Sequence, residues 1–246
     1  MRALFHFFAG VGAKPWAVCW RLMLACILLG DVGAAFAQTR AFGIARQFNQ
    51  PGDILIVGNT LQSCTSGSPS DNCARARGGD STVPRNNNDY VMANVDVDPA
   101  APGSNSSSAW LAIPPGATVT WAGLYWGASS GNAARNQVSF KTPSGAYQTL
   151  TADWIVNNGN NYHAAKTVTA LVSASGDYTV ANVQASVGAT GFYGGWSLVV
   201  VYQLGTEQFR NLTVFEGYNT VSTNPGPTIP ISGFLTPPTG VVGARI

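Results

Sequence analysis

The chain has 246 residues, of which 46% are hydrophobic and only 10% are charged, with 28 glycines and 14 prolines. Its formal net charge at pH 7 is +2. A nucleic-acid partner requires a clustered basic face, because phosphates must be neutralised, and an anionic membrane attracts a polybasic segment. The sparse charge argues against both kinds of partner.

The first 37 residues have the layout of a secretory signal peptide. Basic residues precede an apolar run at residues 22–29, and small residues then lead to Ala35-Phe36-Ala37. This A-x-A sequence is typical of a cleavage site, and the apolar run is shorter than the roughly 20 residues of a membrane-spanning helix. We therefore expect cleavage after Ala37, which predicts a secreted or cell-surface protein.

Two alternatives for the N-terminus are an uncleaved anchor and a lipid attached at Cys26. The second is disfavoured because apolar residues follow the cysteine. No later stretch has the length of a membrane span, so we expect no membrane insertion after cleavage. Cleavage would leave a formally neutral chain, since Arg2, Lys14, Arg21 and Asp31 leave with the peptide.

The mature chain would retain two cysteines, Cys64 and Cys73, on either side of a polar stretch. In an oxidising compartment such a pair indicates a disulfide that closes a surface loop. A metal site would need further ligands, and the only histidine after cleavage is His163. The spacing therefore predicts a disulfide.

From residue 53 onward, short β-branched or aromatic runs alternate with turn residues. Residues 38–51 are expected to be a lead-in segment, residues 53–57 an opening strand, and residues 58–88 a long polar loop that the disulfide closes. Further strands are predicted at residues 89–98, 106–113, 117–126, 137–142, 147–154, 166–172, 177–184, 196–202, 209–215 and 228–231. This rhythm predicts an all-β domain over residues 52–246, a single β-sandwich or jelly roll of ten or more short strands.

The strand at residues 117–126 is predicted to lie centrally, because both of its faces carry apolar bulk. Residues 241–246 begin another strand-like run. We therefore expect the sequence to be a C-terminally truncated fragment.

Seven segments carry a resemblance to a known family, at residues 52–61, 87–98, 105–109, 121–127, 140–143, 195–202 and 210–217. They resemble the N-terminal region of large bacterial surface or secreted proteins that carry Ig-like repeats of the conserved-repeat, DUF11 type. The resemblance implies an extracellular structural or adhesive role and no catalytic residues. The 246 residues do not include the repeats or the sorting signal of that family, in keeping with the expected truncation.

Asp89, Asp96 and Asp98 are the densest acidic group, and neighbouring asparagines add oxygen donors. Calcium takes six to eight oxygen ligands and stabilises many extracellular β-domains. However, the spacing matches no EF-hand loop, and two aspartates on one strand face lie about 7 Å apart. A solvated strand face is therefore the stronger interpretation, with a calcium site as the alternative. No other cofactor is expected.

Five tryptophans follow the signal peptide, and aromatic rings of this kind stack on sugars. Trp121 and Trp196 lie inside apolar strands and are predicted to be core residues. Trp110, Trp126 and Trp154 lie near strand ends and are the candidate ligand-binding residues.

Catalytic residues are not predicted. His163 falls in an asparagine-rich loop, and no G-x-S-x-G elbow precedes a helix. The only glutamates after cleavage are Glu207 and Glu216, which show no recognisable glycosidase spacing. We therefore expect a non-catalytic exported structural or adhesive domain whose partners are other surface proteins or glycans. The main alternative is a secreted carbohydrate-binding module, and a secreted hydrolase is a third hypothesis.

Overall fold

The computed structural model describes residues 39–65, 72–221, 226, 228–233, 239–240 and 243. The predicted signal peptide, the centre of the disulfide loop and most of the strand-like run at 241–246 lie outside this part of the chain. The protein is all-β, and its described part contains twelve strands: Arg40–Thr60 (β1), Gln62–Cys64 (β2), Met92–Asn94 (β3), Ser106–Leu111 (β4), Thr118–Ser129 (β5), Gln137–Lys141 (β6), Gln148–Thr151 (β7), Trp154–Asn158 (β8), Asn161–Thr167 (β9), Gly176–Ala181 (β10), Gly194–Gln203 (β11) and Phe209–Tyr218 (β12).

Helical structure in the described residues is confined to short segments. They are one α-helix, Cys73–Arg77 (α1), and 3-10 turns at Asn87–Asp89, Ala133–Asn136 and Thr169–Leu171.

The strands form a β-sandwich. A six-stranded antiparallel sheet has the order β12-β1-β11-β5-β9-β8, and a four-stranded antiparallel sheet has the order β4-β10-β6-β7. The main core combines alternate residues of both sheets, including Leu124 and Trp126 from β5, Leu198 from β11, Phe140 from β6 and Tyr178 from β10. Alternation in a strand sends every second side chain to one face, so these residues define the inner face of each sheet. A small third sheet pairs β2 with β3.

The predicted central strand is confirmed. β5 lies between β11 and β9 in the larger sheet, and both of its faces are buried along most of its length. Trp121 and Trp196 are also buried, as predicted for core residues.

Strand β1 is unusually long because it pairs with two different strands in succession. Residues 40–51 pair with β12, and from Gly52 onward the strand pairs with β11. Residues 40–51 and β12 together form a two-stranded arm. The arm packs on the outer face of the larger sheet, where Leu212 and Val214 from β12 join Trp121 and Tyr125 from β5 in a second apolar cluster. The expected lead-in is therefore the first half of a strand.

Several other predicted elements differ from the structure, among them the strand predicted at residues 166–172, where β9 ends at Thr167 and a 3-10 turn follows. Residues 147–154 form two strands, since the chain leaves the smaller sheet after β7 and enters the larger one at β8. His163 lies in β9, because Gly159 and Asn160 alone form the turn of a tight hairpin, with φ +59° at Gly159. Residues 228–231 form no strand, and residues 89–98 contain only the short strand β3.

The predicted disulfide is confirmed. Cys64 and Cys73 are bonded, with their Cα atoms 5.8 Å apart. Cys73 is buried with Tyr90 and Met92, and Cys64, Ala76 and Phe192 pack against them. The bond therefore fastens the loop to a small apolar cluster of its own.

Replacement of both cysteines by serine is expected to lower the free energy of unfolding by about 2–3 kcal/mol, because the short ring no longer restricts the unfolded chain. Urea denaturation under non-reducing conditions measures the loss. Added reductant should lower the stability of the wild-type protein by a similar amount and leave the double variant unchanged. Equal stability of the two oxidised proteins would contradict the expected contribution.

Candidate functional site

The outer face of the larger sheet carries rows of side chains that the strand register defines. One row runs across four strands through Thr60, Gly195, Gly127 and His163. The next row contains Ser197, Tyr125, Ala165 and Trp154. The arm packs against Tyr125, Ala165 and Trp154 of the second row and against the rows beyond it, whereas Ser197 and the glycine row line an open surface beside the tip of the arm.

An open groove of about 490 Å³ lies over the glycine row. Gly195 and Gly127 are direct partners on β11 and β5, so two adjacent strands present bare backbone at its floor. The groove is lined by Asn59, Thr60, Ser197 and the rings of Tyr125, His163, Tyr193 and Tyr218. We call this site the aromatic groove.

Backbone packing prevents a side chain from occupying the floor at Gly127. A Cβ atom there would lie 2.7 Å from the carbonyl oxygen of Tyr162, and at Gly195 it would lie 3.2 Å from that of Asn59. Glycine at these positions therefore allows close strand packing and leaves the groove open.

One wall of the aromatic groove is a stack of three rings from three strands. His163 lies between Tyr125 and Tyr218, with centroid separations of 6.1 and 6.2 Å and interplanar angles of 16° and 17°. Trp154 contacts the same histidine, with ring centroids 5.5 Å apart. These separations are typical of favourable offset aromatic pairs. The stack joins the tip of the arm to the sheet and fixes the wall of the groove.

The lining of the aromatic groove is uncharged near neutral pH. None of the described residues that line it is Asp, Glu, Lys or Arg. Burial lowers the pKa of His163 below 6.5, and the nearby Glu216 carboxylate only partly opposes this effect. Burial raises the pKa of Tyr193, and the nearby Tyr218 raises it further, so the Tyr193 phenol keeps its proton.

The protein is expected to lose stability as the pH falls from 7.5 to 5.5. The pKa of His163 in the unfolded chain is near 6.5 and is lower in the folded protein. The unfolded chain therefore binds a proton first, and the stability present above pH 6.5 decreases as the pH falls toward the folded-state pKa. Thermal unfolding across this pH range measures the effect, and His163→Gln should flatten the profile. A profile that is identical in the variant would contradict the assignment to His163.

A charged cleft of about 210 Å³ lies between the arm and the sheet and shares Tyr125 with the aromatic groove. Arg40 donates to Glu216 at 2.5 Å, and the Tyr125 hydroxyl donates to the other Glu216 oxygen at 3.0 Å. Arg40 also lies 4.4 Å from the ring centroid of Trp154. A second ion pair joins Lys166 to Asp153 at 2.6 Å. The contacts of Tyr125 with Glu216 and of Arg40 with Trp154 fasten the arm to the sheet.

The three tryptophans predicted to bind a ligand do not share a site. Trp110 is 63% exposed on β4, an edge strand of the smaller sheet. Trp126 is 1% exposed in the main core, where its Nε1 donates to the carbonyl of Arg135 at 3.1 Å. Its prediction as a ligand-binding residue is wrong, because its ring faces the inside of the sandwich. Trp154 lies under Arg40 in the charged cleft.

The structure also does not bring together the three aspartates of the calcium hypothesis. Asp98 accepts from Lys141 Nζ and from the Tyr147 hydroxyl, both at 2.9 Å, and Asp96 accepts from Ser106 at 2.5 Å. Asp89 lies in a 3-10 turn. Within the described ranges, no group of three or more His, Cys, Asp or Glu side chains is placed to hold a metal ion. The geometry of the described residues therefore gives the calcium hypothesis no support at these three aspartates.

In the described part of the chain, no helix combines the length and the hydrophobicity needed to cross a membrane.

The aromatic groove uses His163, Tyr193 and Tyr218, which the sequence did not indicate as ligand-binding residues. Comparisons with protein-family models, curated proteins and solved structures gave no match.

Proposed function

We propose that this chain is a non-catalytic, exported domain of a bacterial surface or secreted protein, and that it adheres to its partner through the aromatic groove. The observation that carries the proposal is the groove itself, an open and uncharged surface with aromatic walls and a backbone floor. Binding sites are commonly concave and largely apolar, with a few polar groups, and this volume lies within the usual range of about 300–1,000 Å³.

Export is supported by the disulfide and by the sequence of residues 1–37. Disulfides persist in oxidising compartments and are rare in the cytosol. The resemblance to bacterial surface proteins with DUF11-type repeats favours the same location. The compact all-β architecture suits a domain that works outside the cell.

A non-catalytic role is supported by the surroundings of His163. Its ring is held between aromatic rings in a site where it stays neutral. Ser197, the hydroxyl-bearing residue of β11 that lines the groove, lies two strands away from His163, which is about 10 Å at the usual strand spacing. A serine nucleophile must lie within hydrogen-bond distance of its base. This pair is therefore not arranged for acyl transfer.

The proposal can be tested with the full chain expressed in a bacterial host. We expect the protein in the extracytoplasmic fraction, beginning at Gln38 and with Cys64 and Cys73 oxidised. Washed bacterial cells should retain the purified protein, and a Tyr193→Ala/Tyr218→Ala variant should bind at least tenfold less. Trp110→Ala, a change at an exposed aromatic residue outside the groove, is the matched control. Cytoplasmic protein with an intact N-terminus, or equal retention of the groove variant, would overturn the proposal.

A further inference from the structure

We infer that the ligand of the aromatic groove is a neutral saccharide chain. The inference rests on the proposed binding role and adds the chemical class of the ligand. It follows from the shape of the groove, its hydrogen-bonding groups, its lack of charge and the pairing of the strands beneath it.

The shape of the groove suits flat, weakly apolar rings. A sugar ring presents C–H groups on its faces, and these pack against aromatic side chains. Tyr193 is 40% exposed, so its ring is available to a ligand, and Tyr218 and His163 also line the groove. The paired glycines at Gly127 and Gly195 let a ring approach the backbone closely. The groove therefore offers stacking contacts above a floor without side chains.

The polar groups of the lining are uncharged and both donate and accept hydrogen bonds. They include the hydroxyls of Thr60 and Ser197 and the phenols of Tyr193 and Tyr218. Sugar hydroxyls also donate and accept, so groups with both capacities match them. Thr60 is already oriented, because its hydroxyl donates to the carbonyl of Gln62 at 2.7 Å. The same hydroxyl accepts from the backbone N–H of Gln62 at 3.2 Å, which holds this part of the rim in place.

The absence of Asp, Glu, Lys and Arg from the described lining disfavours acidic and basic ligands. In the neighbouring charged cleft the ionic groups are paired with one another, Arg40 with Glu216 and Lys166 with Asp153. A carboxylate or sulfate in the groove would lose water without gaining a cation, which is unfavourable. An uncharged chain avoids this loss.

The strand pairing selects against an extended peptide. β5 and β11 are both interior strands, so their backbone N–H and C=O groups bond to neighbouring strands. A peptide that adds to a sheet needs the free backbone groups of an edge strand. A peptide lying across the glycine row would bury its own N–H groups with few acceptors available.

The inference is tested by calorimetric titration of the purified full-length secreted chain with neutral hexasaccharides of glucose, galactose and N-acetylglucosamine. Oligogalacturonate and the chitosan hexamer serve as acidic and basic probes. We expect at least one neutral oligomer to bind and both charged oligomers to bind at least tenfold more weakly. Tyr193→Ala and Tyr218→Ala should each weaken binding at least tenfold, and Trp110→Ala should leave it unchanged.

A second type of variant keeps the test valid if the loss of Tyr218 disturbs the arm. Ser197→Tyr adds a ring to the lining and leaves the three stacked rings in place, and it should also block the oligomer. Circular dichroism checks that each variant is folded.

Binding of a charged oligomer as tightly as the neutral ones, or full binding by folded groove variants, would overturn the inference. Retention on cells that needs Tyr193 and Tyr218, together with no binding of any neutral oligomer, would also overturn it while leaving the proposed adhesive role intact. Retention that does not depend on these tyrosines would overturn both.

Discussion

Replacement of Gly52 by alanine is expected to lower the free energy of unfolding by more than about 4 kcal/mol, a large share of the 5–15 kcal/mol typical of a domain. Gly52 is the residue at which β1 changes its partner from β12 to β11. A Cβ atom there would lie 2.0 Å from the carbonyl oxygen of Tyr202 and 3.0 Å from its carbonyl carbon. Both are backbone atoms of a paired strand, so the clash cannot be relieved by a side-chain rotation.

The backbone at Gly52 adds to this expected loss, since its φ of +155° is one that residues with side chains rarely adopt. The Gly52 carbonyl also accepts from Arg210 Nη1 at 2.6 Å, and displacement of the bend would strain this bond. Urea denaturation of the two proteins measures the difference. Gly43→Ala is the matched control, because it lies in the same strand with no atom within 4 Å of the added Cβ. Equal losses for the two variants would contradict a special role for Gly52.

Trp126→Ala is expected to cost about 4 kcal/mol, within the range for removal of a large aromatic side chain from a core. The ring is 1% exposed and packs in the main cluster with residues of both sheets. Its removal would leave a cavity and would also free the Arg135 carbonyl of its indole donor. Trp126→Phe should cost less, because it keeps most of the packing.

Trp110→Ala is the control for Trp126→Ala, since the Trp110 ring is 63% exposed. We expect a change within about 0.5 kcal/mol, as for most surface substitutions. Chemical denaturation monitored by circular dichroism avoids the loss of a fluorophore. A stable Trp126→Ala protein would contradict the assignment of this ring to the core.

Much of the β-sandwich could be predicted because strand patterns are local. The apolar residues on both faces of β5 identify a central strand, and the two cysteines identify the disulfide. The position of Trp126 could not be predicted from the local pattern of β5. With both faces of the strand apolar, the sequence did not show which face would meet the smaller sheet.

The arm could not be predicted from local patterns. A Pro-Gly pair often ends a strand. Here Pro51-Gly52 lies at a bend in a strand that continues. The pairing of Arg40 with β12 depends on residues far along the chain, as does the stacking of Tyr218 on His163. The aromatic groove depends on strand register, because only the pairing of β5 with β11 places Gly127 beside Gly195. The predicted ligand-binding residues were tryptophans, whereas the accessible rings of the aromatic groove belong to tyrosines.

Because β1 pairs with both β11 and β12, its pairing also determines when this protein can fold. Its first residues become available early in synthesis, yet Arg40 bonds to Glu216, 176 residues later. Every strand pair of β1 is similarly remote, and such non-local pairing makes folding slow. The larger sheet cannot close until β11 and β12 have emerged. A chain that passes through a membrane pore must remain unfolded, so under the proposed export this delay would keep the strands that precede β11 competent for translocation.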